Sequence, residues 1–359
     1  MATFRWGIFG TGAISYKFAA GLAAAREAQV SFIASRSLTK AKALAGALSV
    51  PRAIEGYAEA AAEGGVDAIY VATPPSAHLS HALLSIDAEI PVLIEKPFAS
   101  SAGDALRIAD AARSKGVFAM EGLWTRFLPA AQQLRDQVAA RAVGDVRMVT
   151  GSFGASWTPE PANGMFNAAL GGGALAHLGT YPLSLGQWLF GAPEVIQALG
   201  TTGEAGIDED VAFQLRYRSG VLGSFVVSLR AWAPDNFEVL GTDGMIGVRG
   251  SIVRPHGLSL AAEPPLRFSE PSLDWKHKLR QGALVHQVAQ RVDRSSRGRG
   301  RRLAYHYAGN GYHYQADEVR ACVERGATES ATMPLEDSIS VAATADDIRQ
   351  LITARSQKG

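Results

Sequence analysis

Two short motifs near the start of the chain carry the residue types that a redox reaction needs. The glycine turn Gly10-Thr11-Gly12 follows the apolar run Phe4–Phe9, and Glu95-Lys96-Pro97 closes the apolar run Val92-Leu93-Ile94. In open α/β sheets, ligands bind outside the carboxyl ends of the strands. Both motifs are therefore expected at one edge of a sheet, where Lys96 can exchange a proton beside a bound nicotinamide ring.

The glycine turn has the strand–turn–helix context of a dinucleotide site. The first glycine permits the tight turn, the second lets the backbone approach a pyrophosphate, and the following helix offers free N–H groups and its positive dipole end. Ser15 replaces the third glycine or alanine and is still small enough for close packing. The residues assigned to this part of the cofactor site are Gly10, Thr11, Gly12, Ala13 and Ile14.

The end of the second predicted strand indicates which dinucleotide binds. An Asp or Glu there would accept a hydrogen bond from the ribose 2′-hydroxyl of NAD, but the chain has Ala34-Ser35-Arg36-Ser37, with Lys40 beyond. Ser35 can donate to a 2′-phosphate, and Arg36 can pair with it and stack on adenine. These residues predict NADP rather than NAD, the alternative being a surface arginine and a site that tolerates both.

The loop after the next predicted strand is the remaining cofactor element. Thr73 and Pro74 lie in a proline-stiffened segment that is expected to line the nicotinamide–ribose channel. His78 either points into that channel or is a surface histidine at a helix start.

Lys96 is the candidate proton carrier, and with Glu95 it is also assigned to the nicotinamide end of the cofactor site. A positively charged nicotinamide nearby would lower the pKa of Lys96 and let it accept a hydroxyl proton as hydride leaves. The alternative is a structural salt bridge between Lys96 and Glu95.

Apolar runs and helical patterns alternate through the first third of the chain. Such alternation predicts βαβ units and a doubly wound parallel Rossmann sheet, assigned to a first domain over residues 1–124. The predicted strands are Phe4–Phe9, Val30–Ser35, Ala68–Ala72, Val92–Ile94 and Val117–Met120. The predicted helices are Ala13–Ala25, Thr39–Leu48, Ser76–Ser85 and Ser101–Ser114.

The pattern after residue 124 changes to longer alternating strands joined by hairpin turns, followed by helices. The fold class is thus α/β plus α+β, with a large open, mostly antiparallel sheet in a second domain over residues 125–359. An uncovered sheet face predicts a homodimer or homotetramer. The predicted strands are Val146–Phe153, Val211–Tyr217, Val221–Arg230 and Phe237–Leu240, and the helices are Leu128–Ala140, Tyr312–Arg325 and Leu335–Ala354.

Composition excludes several classes of protein. The 359 residues carry a net charge of +1, 47% hydrophobic residues and one cysteine, Cys322. These values favour a cytoplasmic enzyme without disulfides and give no reason to expect nucleic-acid or membrane binding. No Cys/His cluster has metal-ligand spacing, so no metal is expected. The arginine-rich stretch Arg291–Arg302 is interpreted as a solvated loop, with a phosphate or nucleic-acid patch as the alternative.

Several motifs along the whole chain together resemble the glucose–fructose oxidoreductase / inositol dehydrogenase / MocA family. Within it, the segment Trp124-Thr125-Arg126-Phe127 resembles the branch of dihydrodiol dehydrogenases and NADP-dependent xylose dehydrogenases. The other matching segments are the Gly-x-Gly start, Ser35-Arg36, Glu95-Lys96-Pro97, Gly172-Gly173-Ala174-Leu175, Gly179-Thr180-Tyr181-Pro182 and Met333-Pro334-Leu335-Glu336-Asp337-Ser338.

The resemblance implies a Rossmann domain followed by an α+β domain, with Lys96 and Tyr181 facing one pocket as acid–base residues. Lys96 is expected to lower the pKa of Tyr181 by favouring the phenolate. The chain departs from the family at His177, which stands where this branch has an aspartate. His177 can orient the substrate or relay a proton, or it can simply fill a helix face. The residues assigned to the substrate are Trp124, Arg126, Phe166, His177, Tyr181 and Tyr314, with Asn167 and His313 as further candidates.

The expected function is NADP-dependent hydride transfer to or from a hydroxyl or carbonyl of a sugar, polyol or trans-dihydrodiol. Two alternatives stay open: elimination or hydrolysis on a sugar assisted by transient oxidation, and a regulatory protein that senses its cofactor.

Overall fold

The structure is a computed structural model that describes residues 3–25, 27–160, 162–263 and 300–356. The amino-terminal part forms a six-stranded parallel sheet in the order β3-β2-β1-β4-β5-β6. Its strands are β1 (Phe4–Phe9), β2 (Ala28–Ser35), β3 (Arg52–Glu55), β4 (Ala68–Val71), β5 (Val92–Glu95) and β6 (Ala119–Gly122). Its helices are α1 (Ala13–Gly21), α2 (Leu38–Leu48), α3 (Tyr57–Glu63), α4 (His78–Asp87) and α5 (Ala102–Lys115).

Alternate side chains of these strands enter two cores. Ile8 and Tyr70 face a core shared with the rest of the chain, whereas Ile69 and Ile94 face a core closed by the helices on the other side. Burial on both faces explains why the strands are continuous apolar runs, and the prediction of a doubly wound sheet is confirmed. The edge strand β3 and helix α3 escaped prediction because their residues are mostly polar or alanine.

The second part contains an eight-stranded sheet in the order β14-β13-β12-β11-β7-β10-β9-β8. All neighbouring strands are antiparallel except β7 and β10, which confirms a mostly antiparallel sheet. The strands are β7 (Val146–Gly154), β8 (Pro193–Thr202), β9 (Asp208–Tyr217), β10 (Leu222–Ser228), β11 (Ala233–Gly241), β12 (Gly244–Gly250), β13 (Pro255–Ala262) and β14 (Arg301–Ala304).

Helices cover one face of this sheet. Phe213, Phe225 and Phe237 are buried on the covered face, while Leu199 and Val226 are 58% and 46% exposed on the other. The helices are α6 (Pro129–Ala139), α7 (Thr180–Phe190), α8 (His313–Glu324) and α9 (Leu335–Ser356), and a π-helix spans Leu175–Gly179 directly before α7.

Helix α9 connects the two parts by packing on α5 from the first and on α7 and β8 from the second. The boundary at residue 124 stays a prediction; it falls just after β6. Most of the arginine-rich stretch lies outside the described residues, and only its end, Arg301 and Arg302, is seen, in β14.

Candidate active site

The glycine turn has the shape that a bound dinucleotide requires. Gly10 has φ +117°, and a Cβ on it would lie 2.6 Å from the carbonyl oxygen of Ala72, so only glycine fits there. Within the described part of the chain, a Cβ on Gly12 would meet no atom within 4 Å. The fold itself therefore does not need a glycine at position 12, and the open space in front of it is where a pyrophosphate would approach.

Helix α1 begins at this space. Gly12 precedes it without any side-chain cap, so the first N–H groups, including those of Ala13 and Ile14, remain available to an anion. Ser15 is fully buried, as expected for a small residue between helix and sheet. These residues fit the pyrophosphate of a dinucleotide.

A cavity of about 510 Å³ extends from the glycine turn across the carboxyl ends of β1, β2 and β4. Its size is in the range of small-molecule sites, roughly 300–1,000 Å³. Tyr57, at the start of α3, lines the cavity and was not found from the sequence. The other lining residues are Gly10, Thr11, Gly12, Ser35, Arg36, Ser37, Lys40, Ala72, Thr73 and Pro74.

The end of β2 supplies the polar groups of this cavity. Ser35 Oγ accepts a hydrogen bond from the Ser37 N–H, and Ser37 caps α2 by accepting from the N–H of Lys40. Burial raises the pKa of Tyr57, and the nearby positive charge of Arg36 opposes that rise. Two cations and three hydroxyls thus surround one end of the cavity, an arrangement that suits a phosphate.

His78 lies beneath the Thr73 loop. Its ring is 1% exposed and sits between two main-chain carbonyls, with Nε2 2.9 Å from Thr73 O and Nδ1 2.8 Å from Pro97 O. The alternative of a surface histidine is therefore wrong, and the place of His78 along a nicotinamide–ribose channel stays a prediction. It joins the loop after β4 to the loop after β5.

The side chains of Glu95 and Lys96, at the end of β5, have different partners. The Glu95 carboxylate accepts hydrogen bonds from the Tyr70 hydroxyl and from the N–H of Lys96, and burial raises its pKa to about 7. Among the described residues, Lys96 has no carboxylate within ion-pair distance, so the proposed salt bridge to Glu95 is not present. Glu95 is buried under the site rather than exposed to a cofactor.

The Lys96 side chain crosses to the second part of the chain. Its Nζ donates a hydrogen bond to the main-chain carbonyl of His177 at 3.1 Å, and it lies 5.4 Å from the ring centre of Tyr181. His177 belongs to the π-helix, and π-helical turns are frequent at functional sites. Burial lowers the pKa of Lys96, while the charges of Glu95 and Glu121 oppose that change.

Tyr181, in the first turn of α7, is 6% exposed. Its ring meets Phe153 edge to face with centroids 6.0 Å apart, and the indole of Trp124 is near its hydroxyl. The expectation of a lowered pKa is wrong. Burial raises the pKa of Tyr181 well above its ordinary value, and the charge of Glu95 adds to the rise.

The His177 ring is neutral in this setting. Burial, helped by the charge of Lys96, lowers its pKa to about 3 although the ring bonds to the main chain of Gly171. Nε2 is buried and has no hydrogen-bond partner among the residues that the structure describes. A group with this pKa does not relay protons near pH 7, but the free Nε2 can accept a hydrogen bond.

A glycine-rich loop positions His177 and Tyr181. Asp208 accepts a hydrogen bond from the Leu175 N–H at 2.6 Å. A Cβ on Gly173 would lie only 2.5 Å from the Asp208 carboxylate, so the loop needs a glycine there. On the other side, a Cβ on Gly171 would lie 2.9 Å from Pro75. The loop therefore packs the π-helix against the Thr73 loop of the cofactor cavity.

Two residues assigned to the substrate lie elsewhere. Arg126 is 0% exposed and bonds to Ser184 and Asp337, so its guanidinium holds α7 and α9 together. Tyr314 lines a separate cavity with Phe127. Phe166 is buried in the same cluster as Trp124 and Tyr181, and its assignment to the substrate stays a prediction.

Two further candidates have similar structural roles. Asn167 accepts from the N–H of Ala169 in its own turn, and His313 packs on the ring of Tyr314.

Tyr312 occupies the place expected for Tyr314. Its ring stacks on Trp124 with centroids 4.4 Å apart, and burial raises its pKa, with further rises from Glu95 and Tyr181. Trp124 thus joins Tyr181 and Tyr312 in one aromatic group. Tyr312 is missed because both tyrosines flank the start of α8 and the sequence does not show which one faces the site.

The described residues contain neither a metal-ligand cluster nor a helix of the kind that spans a membrane. No group of three or more His, Cys, Asp or Glu side chains is arranged to hold a metal ion. None of the helices in these residues has the length and apolarity needed to cross a membrane.

Comparison with known proteins agrees with this geometry. Residues 4–123 match the oxidoreductase family with an NAD-binding Rossmann fold, and residues 131–247 match the GFO/IDH/MocA C-terminal domain. The trans-1,2-dihydrobenzene-1,2-diol dehydrogenase of Mus musculus is 32% identical over 352 residues, which cover 97% of this chain and 96% of that protein.

Two solved structures share the fold. A 3-ketoreductase from Actinomadura kijaniata, in complex with NADP, is 21% identical with a TM-score of 0.78 and covers 98% of each chain. A levoglucosan dehydrogenase, in complex with NADH and levoglucosan, is 18% identical with a TM-score of 0.80 and covers 98% of this chain and 97% of its own. The chain belongs to the GFO/IDH/MocA family of oxidoreductases.

Proposed function

We propose that this protein is an NADP-dependent dehydrogenase that acts on a hydroxyl group of a trans-dihydrodiol or of a small sugar or polyol. The observation that carries the proposal is the approach of Lys96 to both His177 and Tyr181. A half-buried lysine and a buried tyrosine meet next to the loop that lines the cofactor cavity, where a hydroxyl proton would have to be taken up or supplied.

The raised pKa of Tyr181 and the lowered pKa of Lys96 suggest different roles. Tyr181 keeps its proton near pH 7 and can donate a hydrogen bond to the substrate oxygen. Lys96 gives up its proton more readily than an exposed lysine, so it is the better acceptor when an alcohol is oxidised. In the reverse direction Lys96 returns the proton to the oxygen of the reduced carbonyl.

When bound, NADP exchanges a hydride with the substrate carbon. Gly12 and the first N–H groups of α1 would hold its pyrophosphate, and Arg36, Lys40 and Ser35 would hold its 2′-phosphate. The absence of a carboxylate at the end of β2 supports NADP over NAD. The solved relatives include one complex with NADP and one with NADH, so the preference is tested below.

The neutral His177 ring supports substrate binding rather than proton transfer. With a pKa of about 3, it does not favour the alternative in which His177 drives an elimination as a general acid or base. We propose that the free Nε2 accepts a hydrogen bond from a substrate hydroxyl, the task that the family's aspartate would perform as an anion.

The substrate class rests on the relatives. The mouse protein is named for trans-1,2-dihydrobenzene-1,2-diol, and one solved relative holds levoglucosan. We further propose a cytoplasmic homodimer or homotetramer. The exposed apolar side chains of Leu199, Leu222 and Val226 on the open sheet face support an association between copies.

Absorbance at 340 nm tests the function directly. Purified protein is mixed with NADP or NAD and a panel of trans-dihydrodiols, aldoses and polyols. Turnover of one substrate class with NADP supports the proposal. No turnover with any substrate, although NADP is shown to bind, points to the cofactor-sensing alternative.

A further inference from the structure

A carboxylate near the start of β11, that of Asp235, is close enough for its charge to act on Tyr181. Strand β11 pairs Ala233 with Gly154 and Asn236 with Ser152. Two residues, Pro234 and Asp235, therefore stand opposite the single residue Phe153, which is a β-bulge. Bulges re-aim side chains and are frequent next to active sites.

The sheet register places Asp235 on the covered face. Side chains alternate along a strand, and Phe237, two residues further on, is buried on that face. Phe153, directly across from Asp235, packs edge to face against Tyr181. Asp235 thus lies at the end of the sheet that Tyr181 contacts, and its side chain is only partly buried.

A short segment ties Asp235 to the aromatic group. Asp235 Oδ1 accepts a hydrogen bond from the Ile252 N–H at 2.6 Å. The next residue, Val253, accepts one from the Thr125 hydroxyl at 2.7 Å, and Thr125 follows Trp124, whose ring stacks on Tyr312 in the aromatic group of the site. The Asp235 carboxylate is therefore held in a fixed orientation by the segment that carries Ile252 and Val253.

One oxygen of this carboxylate is free. Within the described ranges, Asp235 Oδ2 has no hydrogen-bond partner. The charge of this carboxylate contributes to the raised pKa of Tyr181. Burial is the main cause of that rise, the charge of Glu95 is the next, and the charge of Asp235 adds to both. A carboxylate that is fixed by a hydrogen bond to one oxygen, and whose charge acts on an acid–base residue, can accept a hydrogen bond from a ligand hydroxyl at its other oxygen.

We propose that Asp235 is a specificity-determining residue that accepts a hydrogen bond from a second hydroxyl of the substrate. The inference rests on the proposed function, in which Tyr181 and Lys96 act on the first hydroxyl. A site built to bond a hydroxyl discriminates strongly against an analogue that lacks it, because its own polar group is then left unpaired. Asp235 thereby selects diols and sugars over simple alcohols.

The test compares Asp235→Ala and Asp235→Asn with the unaltered protein on two probes, trans-cyclohexane-1,2-diol and cyclohexanol, with NADP. Glu238→Gln is the matched control, because Glu238 is on the same strand and points to the other face. We expect kcat/KM for the diol to fall by roughly 10²-fold in Asp235→Ala. The value for cyclohexanol should change less than about threefold, and the control should leave both unchanged.

Equal losses on both probes, in variants that still bind NADP with normal affinity, would overturn the specificity role and leave the proposed function standing. The same holds if Asp235→Ala keeps the preference of the unaltered protein for the diol. If the unaltered protein oxidises neither these probes nor any member of the wider substrate panel, the proposed function fails first and this inference fails with it.

Discussion

Lys96 Nζ donates a hydrogen bond of 3.1 Å to the main-chain carbonyl of His177, and this bond joins the end of β5 to the π-helix before α7. The acceptor is a backbone atom of a π-helix, so this contact does not depend on which side chain stands at position 177. A different side chain at position 177 would therefore leave this hydrogen bond to Lys96 possible.

The cofactor preference gives the first prediction. Replacing Arg36 with Ala should raise the Kd of NADP at least about tenfold, a cost of about 1.4 kcal/mol, and change the Kd of NAD much less. Lys42→Ala is the control, because Lys42 is an exposed residue of α2 outside the cavity. Equal changes for both cofactors, measured by fluorescence titration, would show that Arg36 does not recognise the 2′-phosphate.

The two glycines of the turn should respond differently to alanine. Gly10→Ala should destabilise the fold by about 1–3 kcal/mol, because the residue has a positive φ and contacts Ala72. Gly12→Ala should fold normally, because its Cβ meets no protein atom, yet weaken NADP binding at least about tenfold. Urea denaturation and cofactor titration of both variants check this, with Gly46→Ala in α2 as control. Normal NADP binding by Gly12→Ala would contradict the assigned pyrophosphate site.

The buried carboxylate Glu95 should make stability fall as pH rises. Its pKa is raised from 4.5 to about 7 in the folded protein, so between these values the folded state holds a proton that the unfolded state releases. The stability difference between the unaltered protein and Glu95→Gln should therefore decline with pH over this window, by at most about 1.4 kcal/mol per pH unit. Parallel stability curves in urea titrations would contradict the raised pKa.

The buried His177 should make the stability of the protein fall as pH falls. Its pKa falls from 6.5 to about 3 on folding, so between these values the unfolded state binds the proton. The unaltered protein should lose stability as pH falls through this window, and His177→Asn should lose less. Equal acid sensitivity of the two proteins, measured by the same urea titrations, would mean that the ring is not neutral in the folded state.

The sequence predicts the scaffold better than the pocket. The parallel sheet, the glycine turn and the strand end at Lys96 follow from local patterns of apolar runs and glycines. Arg126 was misplaced because its partner Asp337 is far away in the chain. Asp235 was missed because its position depends on a bulge, and a bulge is set by pairing with a strand that is distant in sequence.

Helix phase explains the exchange of Tyr314 for Tyr312. Two residues along a helix differ by about 200° in direction, so only one of the two tyrosines can face Trp124. The helical pattern of α8 starts at these residues, and its first turn carries too few apolar positions to fix which side is buried.

The measurement that tests the central claim most directly is the turnover of Lys96→Met and Tyr181→Phe with NADP and the best substrate of the panel. Lys42→Met and Tyr16→Phe are controls, since both are exposed residues. We predict that each site variant folds and binds NADP but loses at least about 10²-fold in kcat, while the controls keep theirs. Near-normal turnover in both folded site variants would contradict the assignment of Lys96 and Tyr181 as the acid–base pair.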